Sequence, residues 1–158
     1  MRSEEAVCLA IEKYADTVKR ICFIHLKNAA DTEDIFQTVF LKYAMSDVAF
    51  QSEAHEKAWL IRVTINACKD LLKSFFKRNT VPIDEYVEKI GTQEDQSEVL
   101  EAVLALPEKY RRVIYLHYYE GYTAPEIARI LGSKENTVYT QLTRGRALLR
   151  DVLGGEDG

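Results

Sequence analysis

Residues that interrupt helices are scarce in this chain, with three prolines and seven glycines among 158 positions. Strand-type alternation is equally hard to find, so an all-α fold is expected. There is no internal repeat and no low-complexity tract. Cysteine is sparse too: Cys8, Cys22 and Cys68 are odd in number and far apart. With no Cys-x-x-Cys and no Cys/His pair at metal spacing, neither a disulfide framework nor a zinc site is expected. All three are read as small buried residues in a reducing compartment. No metal and no cofactor is assigned.

Long apolar runs are missing, so no membrane insertion is expected. The opening MRSEEAVCLAIEKYADTVKR is too acidic for a signal peptide, and a cytoplasmic location follows as the expectation. Catalytic motifs are missing as well. There is no phosphate loop and no Gly-x-Ser-x-Gly, and His25, His55 and His117 are isolated. His55-Glu56 begins a zinc-protease pattern, but Trp59 stands where the second histidine belongs. The chain is read as not an enzyme. Positive charge is also short: the net charge is −4, which argues against a protein that grips bare DNA unaided, since phosphate neutralisation drives such binding. The charge is uneven, with basic residues at 57–78 and 144–150 and acidic ones at 84–101.

The most informative stretch is 106–150, LPEKYRRVIYLHYYEGYTAPEIARILGSKENTVYTQLTRGRALLR. It reads as three helices, the last two joined by a tight turn at 131–133. Thr123 can cap a helix opened by Pro125, and Gly132 can end it in a left-handed conformation. Ile127, Ala128 and Leu131 give that helix an inward face. In the next helix Val138, Leu142, Gly145, Leu149 and Val152 form an apolar stripe. The opposite side carries Asn136, Tyr139, Thr140, Thr143 and Arg144. That is the helix-turn-helix pattern, whose second helix fits a major groove where such side chains address base edges and phosphates. A plain αα-hairpin in a small bundle is the alternative.

Towards the N-terminus, Ser3 starts a helix expected to run to Leu26, with Lys27-Asn28-Ala29-Ala30 as the break. Asp31 or Thr32 is expected to cap a second helix, populated by Ile35, Phe36, Val39, Phe40 and Tyr43. Residues 47–56 form a polar interruption containing Phe50, Gln51 and Ser52. Along 57–78 a helix sets Trp59, Arg62, Asn66, Lys69, Lys73 and Lys77 in one band. Cations that follow phosphates, beside a ring that stacks on bases, suit single-stranded nucleic acid; a solvated face with Trp59 in the core is the other reading. Residues 79–97 read as a flexible acidic linker. Arg111 and Arg112 are read on the polar side of the helix opening at Pro107, facing either phosphates or nearby carboxylates. The expected division is 1–78, linker 79–97, 98–153 and a tail 154–158. Units of this size are marginal alone, burying only about 60% of their unfolded surface, so a larger covering partner makes sense.

The string 106–150 resembles region four of bacterial extracytoplasmic-function (ECF, group four) sigma factors. Leu106-Pro107, Glu120-Gly121-Tyr122-Thr123, Glu126-Ile127-Ala128, Leu131-Gly132, Thr137-Val138, Arg144 and Arg146 carry the likeness. DTEDIFQTVFLKYA and AWLIRVTINACKDLL resemble region two, and the likeness covers roughly 5–78 and 98–152. It implies two small helical domains and a factor that joins core RNA polymerase (β′ coiled coil, β flap) and promoter DNA, with an anti-sigma factor as a further partner. By the same resemblance Asp34, Gln37, Phe40 and Leu41 face the polymerase, while Trp59, Arg62 and Asn66 meet the minus-ten element; Lys69 and Lys73, from the basic band itself, are read as further DNA contacts. Phe50, Gln51 and Ser52 then lie where a flipped base is captured, and the second helix of the helix-turn-helix reads the minus-thirty-five element. Thr38 stands where the family has an acidic residue, and Gly145 replaces a typical alanine at a cost of about 1 kcal/mol in helix propensity. The rival reading is an autonomous helix-turn-helix regulator, and a third is a helical adaptor.

Overall fold

The computed structural model describes residues 1–79 and 98–153, with side chains to residue 74 in the first segment. Seven helices and no strand are present among the described residues. The chain divides into two compact units, Met1–Gly91 and Thr92–Gly158. Asn79, expected to open the linker, ends the third helix instead; the rest of the expected linker, 80–97, and the tail lie outside the described residues.

In the first unit α1 spans Glu4–Leu26, α2 spans Ala29–Met45 and α3 spans Glu53–Asn79, each packing on the other two. Ser3 caps α1 by accepting from the Ala6 N–H, as its position before two glutamates suggests. The break after α1 is shorter than expected. Lys27 takes a left-handed backbone (φ 53°) and Asn28 caps α2 by accepting from the Asp31 N–H. Ala29-Ala30 therefore opens a helix rather than a loop, as suits the residue with the highest helix propensity. α3 likewise begins four residues before position 57, because Ser52 Oγ accepts from the His55 N–H.

Val18, Cys22, Leu26, Val39, Leu60 and Cys68 fill the centre of this bundle. Cys22 and Cys68 are buried as expected, but Cys8 is exposed on α1. A part-buried polar bridge lies at the edge of this core. Glu56 of α3 accepts from the Tyr14 hydroxyl of α1 at 2.9 Å and from the Tyr43 hydroxyl of α2 at 2.7 Å. Burial and the Glu56 carboxylate push the Tyr43 hydroxyl up to about 12, and Tyr14 rises for the same reasons. Both phenols hold their protons longer in the folded chain than in the unfolded one, where they ionise near 10. The stability they confer is thus complete below pH 10 and is lost as pH climbs towards 12. Thermal melts followed by circular dichroism are expected to show a falling midpoint across that window. Tyr43→Phe, with no hydroxyl to ionise, should make the fall shallower.

The second unit contains α4 (Glu98–Leu104), α5 (Glu108–Tyr118), α6 (Ala124–Leu131) and α7 (Glu135–Leu153). α7 packs against all three of the others. Thr123 and Glu126 form a reciprocal capping box on α6, with Pro125 in its first turn. The Thr123 N–H and hydroxyl hold the half-buried Glu126 carboxyl below its ordinary range. Gly132 closes α6 at φ 69°, and its N–H and that of Ser133 both reach the Ala128 carbonyl. Val138, Leu142 and Gly145 of the expected stripe are buried, Leu149 is half-buried, and Val152 is exposed. Ile130, outside the expected inward set of α6, is buried.

Gly145 has a packing reason. A Cβ there would meet Ile114 Cγ1 at 3.0 Å and Cδ1 at 3.2 Å. Glycine thus lets α7 lie close against α5, which offsets its poor helix propensity.

Candidate nucleic-acid interface

With Val138, Leu142 and Gly145 turned inward, the other side of α7 is open. Asn136, Tyr139, Thr140, Thr143 and Arg144 are all exposed on it. Part of this face borders an open cleft of about 380 Å³, lined by Lys109 and Tyr110 of α5 and by Asn136, Thr137, Thr140, Gln141 and Arg144 of α7. The lining holds two cations, two amides and three hydroxyls, and no carboxylate. Such a set donates hydrogen bonds and attracts phosphate, as a nucleic-acid backbone beside readable base edges requires.

Lys109 and Tyr110 were not legible as site residues, because only the packing of α5 on α7 brings them beside Arg144. The nearby arginines behave differently. Arg111 is buried, and burial holds its guanidinium below the ordinary range. Arg112 turns back on its own helix, bonding the Glu108 carbonyl and lying 3.7 Å from the Glu108 carboxylate. Of the two readings the sequence left open, phosphate or nearby carboxylate, Arg112 takes the carboxylate one.

In the first unit, Arg62, Asn66, Lys69 and Lys73 are exposed along one side of α3, while Leu60, Ile61, Thr64 and Ile65 are buried. Lys77 lies where no side chain is described. Trp59 is half-buried at the head of the band, edge-on to Tyr43 (6.2 Å) and to Phe50 (5.6 Å). Phe50 lies parallel to Tyr43 at 6.1 Å, so the loop between α2 and α3 and the head of the α3 band share one aromatic cluster. Gln51 and Ser52 are exposed beside it. His55 receives the Gln51 N–H on Nδ1, and Glu56 bridges the two tyrosines, so the residues that resembled a metal motif have structural work.

On α2, Asp34, Gln37 and Leu41 are exposed in one stripe, and Leu41 is 63% exposed. Phe40 does not share that surface. It is 5% exposed, lying against the Phe36 ring at 4.9 Å and the Tyr43 ring at 6.5 Å. The expectation that it faces a partner is corrected, since its bulk fills the core. Met45, 62% exposed one turn beyond Leu41, extends the stripe instead. Thr38, the departure from the resembling pattern, bonds its hydroxyl to the Asp34 carbonyl of its own helix.

Residues 10–75 match the family model for Sigma-70 region 2, and residues 96–149 match that for Sigma-70, region 4. The RNA polymerase sigma factor SigV of Bacillus subtilis is 32% identical over 142 residues, covering 87% of this chain and 85% of that protein. The chain belongs to the RNA polymerase sigma factor family.

Among relatives of this sigma factor, the ECF RNA polymerase sigma factor SigM of Mycobacterium tuberculosis is 28% identical over 138 residues, spanning 85% of this chain and 70% of that one. The fold is shared with the sigma factor RpoE of Bartonella quintana, solved with the anti-sigma factor NepR, at a TM-score of 0.75 and 17% identity over 92% and 95% of the two chains. It is shared also with CnrH, solved with the cytosolic domain of CnrY, at 0.67 and 22% identity over 97% and 90%. As an ECF sigma factor the protein directs promoter-specific transcription initiation by RNA polymerase. The region 2 match covers the α2 stripe and the α3 band, and the region 4 match covers the α5–α7 cleft. No helix among the described residues is long and apolar enough to cross a membrane.

Proposed function

We propose that the two units divide the work of initiation. Residues 1–78 dock on core polymerase through Asp34, Gln37, Leu41 and Met45, with the β′ coiled coil as the partner surface. The same unit reads melted minus-ten DNA through Trp59, Arg62, Asn66, Lys69 and Lys73, with Phe50, Gln51 and Ser52 taking the flipped base. Residues 98–153 set Asn136, Tyr139, Thr140, Thr143 and Arg144 in the minus-thirty-five major groove and meet the β flap. Lys109 holds a flanking phosphate.

The observation that carries this reading is the carboxylate-free cleft beside the exposed face of α7, on a chain whose net charge is −4. Local donors suit promoter DNA while the overall charge opposes unaided binding, so the polymerase supplies most of the grip. The same observation weighs against an autonomous regulator. The exposed Leu41 and Met45 also suit an anti-sigma partner that covers them until release. The protein is non-catalytic on this reading and works in the cytoplasm, with polymerase on the nucleoid.

Run-off transcription on genomic DNA tests the proposal. Bacterial core polymerase with this protein is expected to yield discrete transcripts that core alone does not. Sequence-specific binding of the same fragments by the isolated chain, with no transcripts on adding core, would favour the regulator.

A further inference from the structure

Arg2 makes an unusual set of contacts for a residue ahead of the first helix. Its N–H donates to the Ala44 carbonyl at 2.8 Å, and its Nε to the Tyr43 carbonyl at 3.0 Å. These carbonyls lie in the last turn of α2, where the Tyr43 carbonyl also accepts from the Ser46 N–H at 3.2 Å and where positive charge meets the negative end of the dipole. A second guanidinium nitrogen donates to the Val48 carbonyl, inside the loop between α2 and α3. The guanidinium carbon also lies over two rings, 4.5 Å from the Tyr43 centroid and 4.9 Å from that of Phe50. One side chain thus joins the end of α2, the loop backbone and the loop's aromatic ring.

Residues 46–52 form no helix or strand, so their backbone has few regular bonds to fix it. Val48 N–H reaches Ser46 Oγ within the loop, and His55 holds Gln51 from the far end. Arg2 supplies the restraint from the near end. An unheld loop must be ordered on binding at about 1–2 kcal/mol per residue, and it offers no fixed pocket beforehand.

We propose that Arg2 is a positioning residue for base selection: by clamping Val48 and Phe50 to the end of α2, it preforms the pocket that discriminates one base of the minus-ten element. This rests on the reading of the 46–52 loop as the base-capturing segment. Arg2 need not touch DNA, since it acts through the ring and backbone that do. Lysine cannot replace it, because one ammonium lacks the planar fork that serves two carbonyls while lying over two rings.

The test uses full-length protein with bacterial core polymerase on templates carrying a randomised minus-ten segment, for wild type, Arg2→Ala, Arg2→Lys and Phe50→Ala. Preference at the loop-read base is expected to fall about tenfold in both Arg2 variants. Core affinity and minus-thirty-five preference are expected to stay unchanged, while the thermal midpoint falls modestly with the loss of the guanidinium contacts. A uniform loss on all templates, or a drop in core affinity, would reduce Arg2 to a structural role and overturn the proposal. A profile flattened by Phe50→Ala but not by Arg2→Ala would also overturn it, while leaving the loop reading intact. If neither Phe50→Ala nor the Arg2 variants alters the profile, the loop reading itself fails and the proposal goes with it.

Discussion

Leu41→Asp is expected to weaken binding to core RNA polymerase by about thirtyfold, the scale of a central interface residue worth about 2 kcal/mol. Leu41 is 63% exposed on α2, in one stripe with Asp34, Gln37 and Met45. An aspartate there is well solvated in the free protein, so the thermal midpoint should hardly move. In a docked complex it would carry an unpaired charge into a desolvated contact. The neighbouring Phe40→Ala should behave in the opposite way. Phe40 is 5% exposed, so its truncation is expected to cost about 3–5 kcal/mol of stability through the cavity it leaves. Fluorescence titration against core polymerase, with thermal melts of each variant, separates the two. An unchanged affinity for Leu41→Asp would remove this stripe from the docking surface.

Arg144→Ala is expected to lower initiation at the cognate promoter about tenfold or more while leaving core binding intact. Arg144 is exposed on α7 and lines the cleft with Lys109. The two cations differ in what they do. On the proposed reading α7 enters the groove, so the loss of Arg144 should alter which base is preferred. Lys109, on α5, is proposed to meet phosphate, so Lys109→Ala should weaken all promoters alike and reduce the slope of log affinity against log salt by about one. Competition between promoter variants at several salt concentrations distinguishes them. If Arg144→Ala lowers every promoter equally, its contact is to the backbone and base reading lies with Asn136, Tyr139, Thr140 and Thr143.

What was legible in the sequence was local. Thr123, Pro125 and Gly132 each act on their own turn, so the helix-turn-helix stands where the residues suggested. The exposed band of α3 follows in the same way from helical spacing. Neighbouring positions on a densely apolar helix were not legible: Phe40 and Leu41 are both large and hydrophobic, and only packing on α1 and α3 decides which faces inward. Partners distant in sequence were hidden too. Glu56 meets Tyr14 across 42 positions, and Arg2 meets Tyr43 across 41. The start of α2 was misplaced because paired alanines after an asparagine were read as a break, although Asn28 was a competent cap.

α7 keeps its two duties on opposite sides. Val138, Leu142 and Gly145 meet the interior, and the five outward residues meet none of it. If those outward positions read promoter bases, as proposed, duplicated copies of such a gene are free to drift towards new promoters there without refolding. The close approach at Gly145 grants far less latitude: nothing larger than the alanine typical of the family fits there, and even that needs the Ile114 side chain to give way.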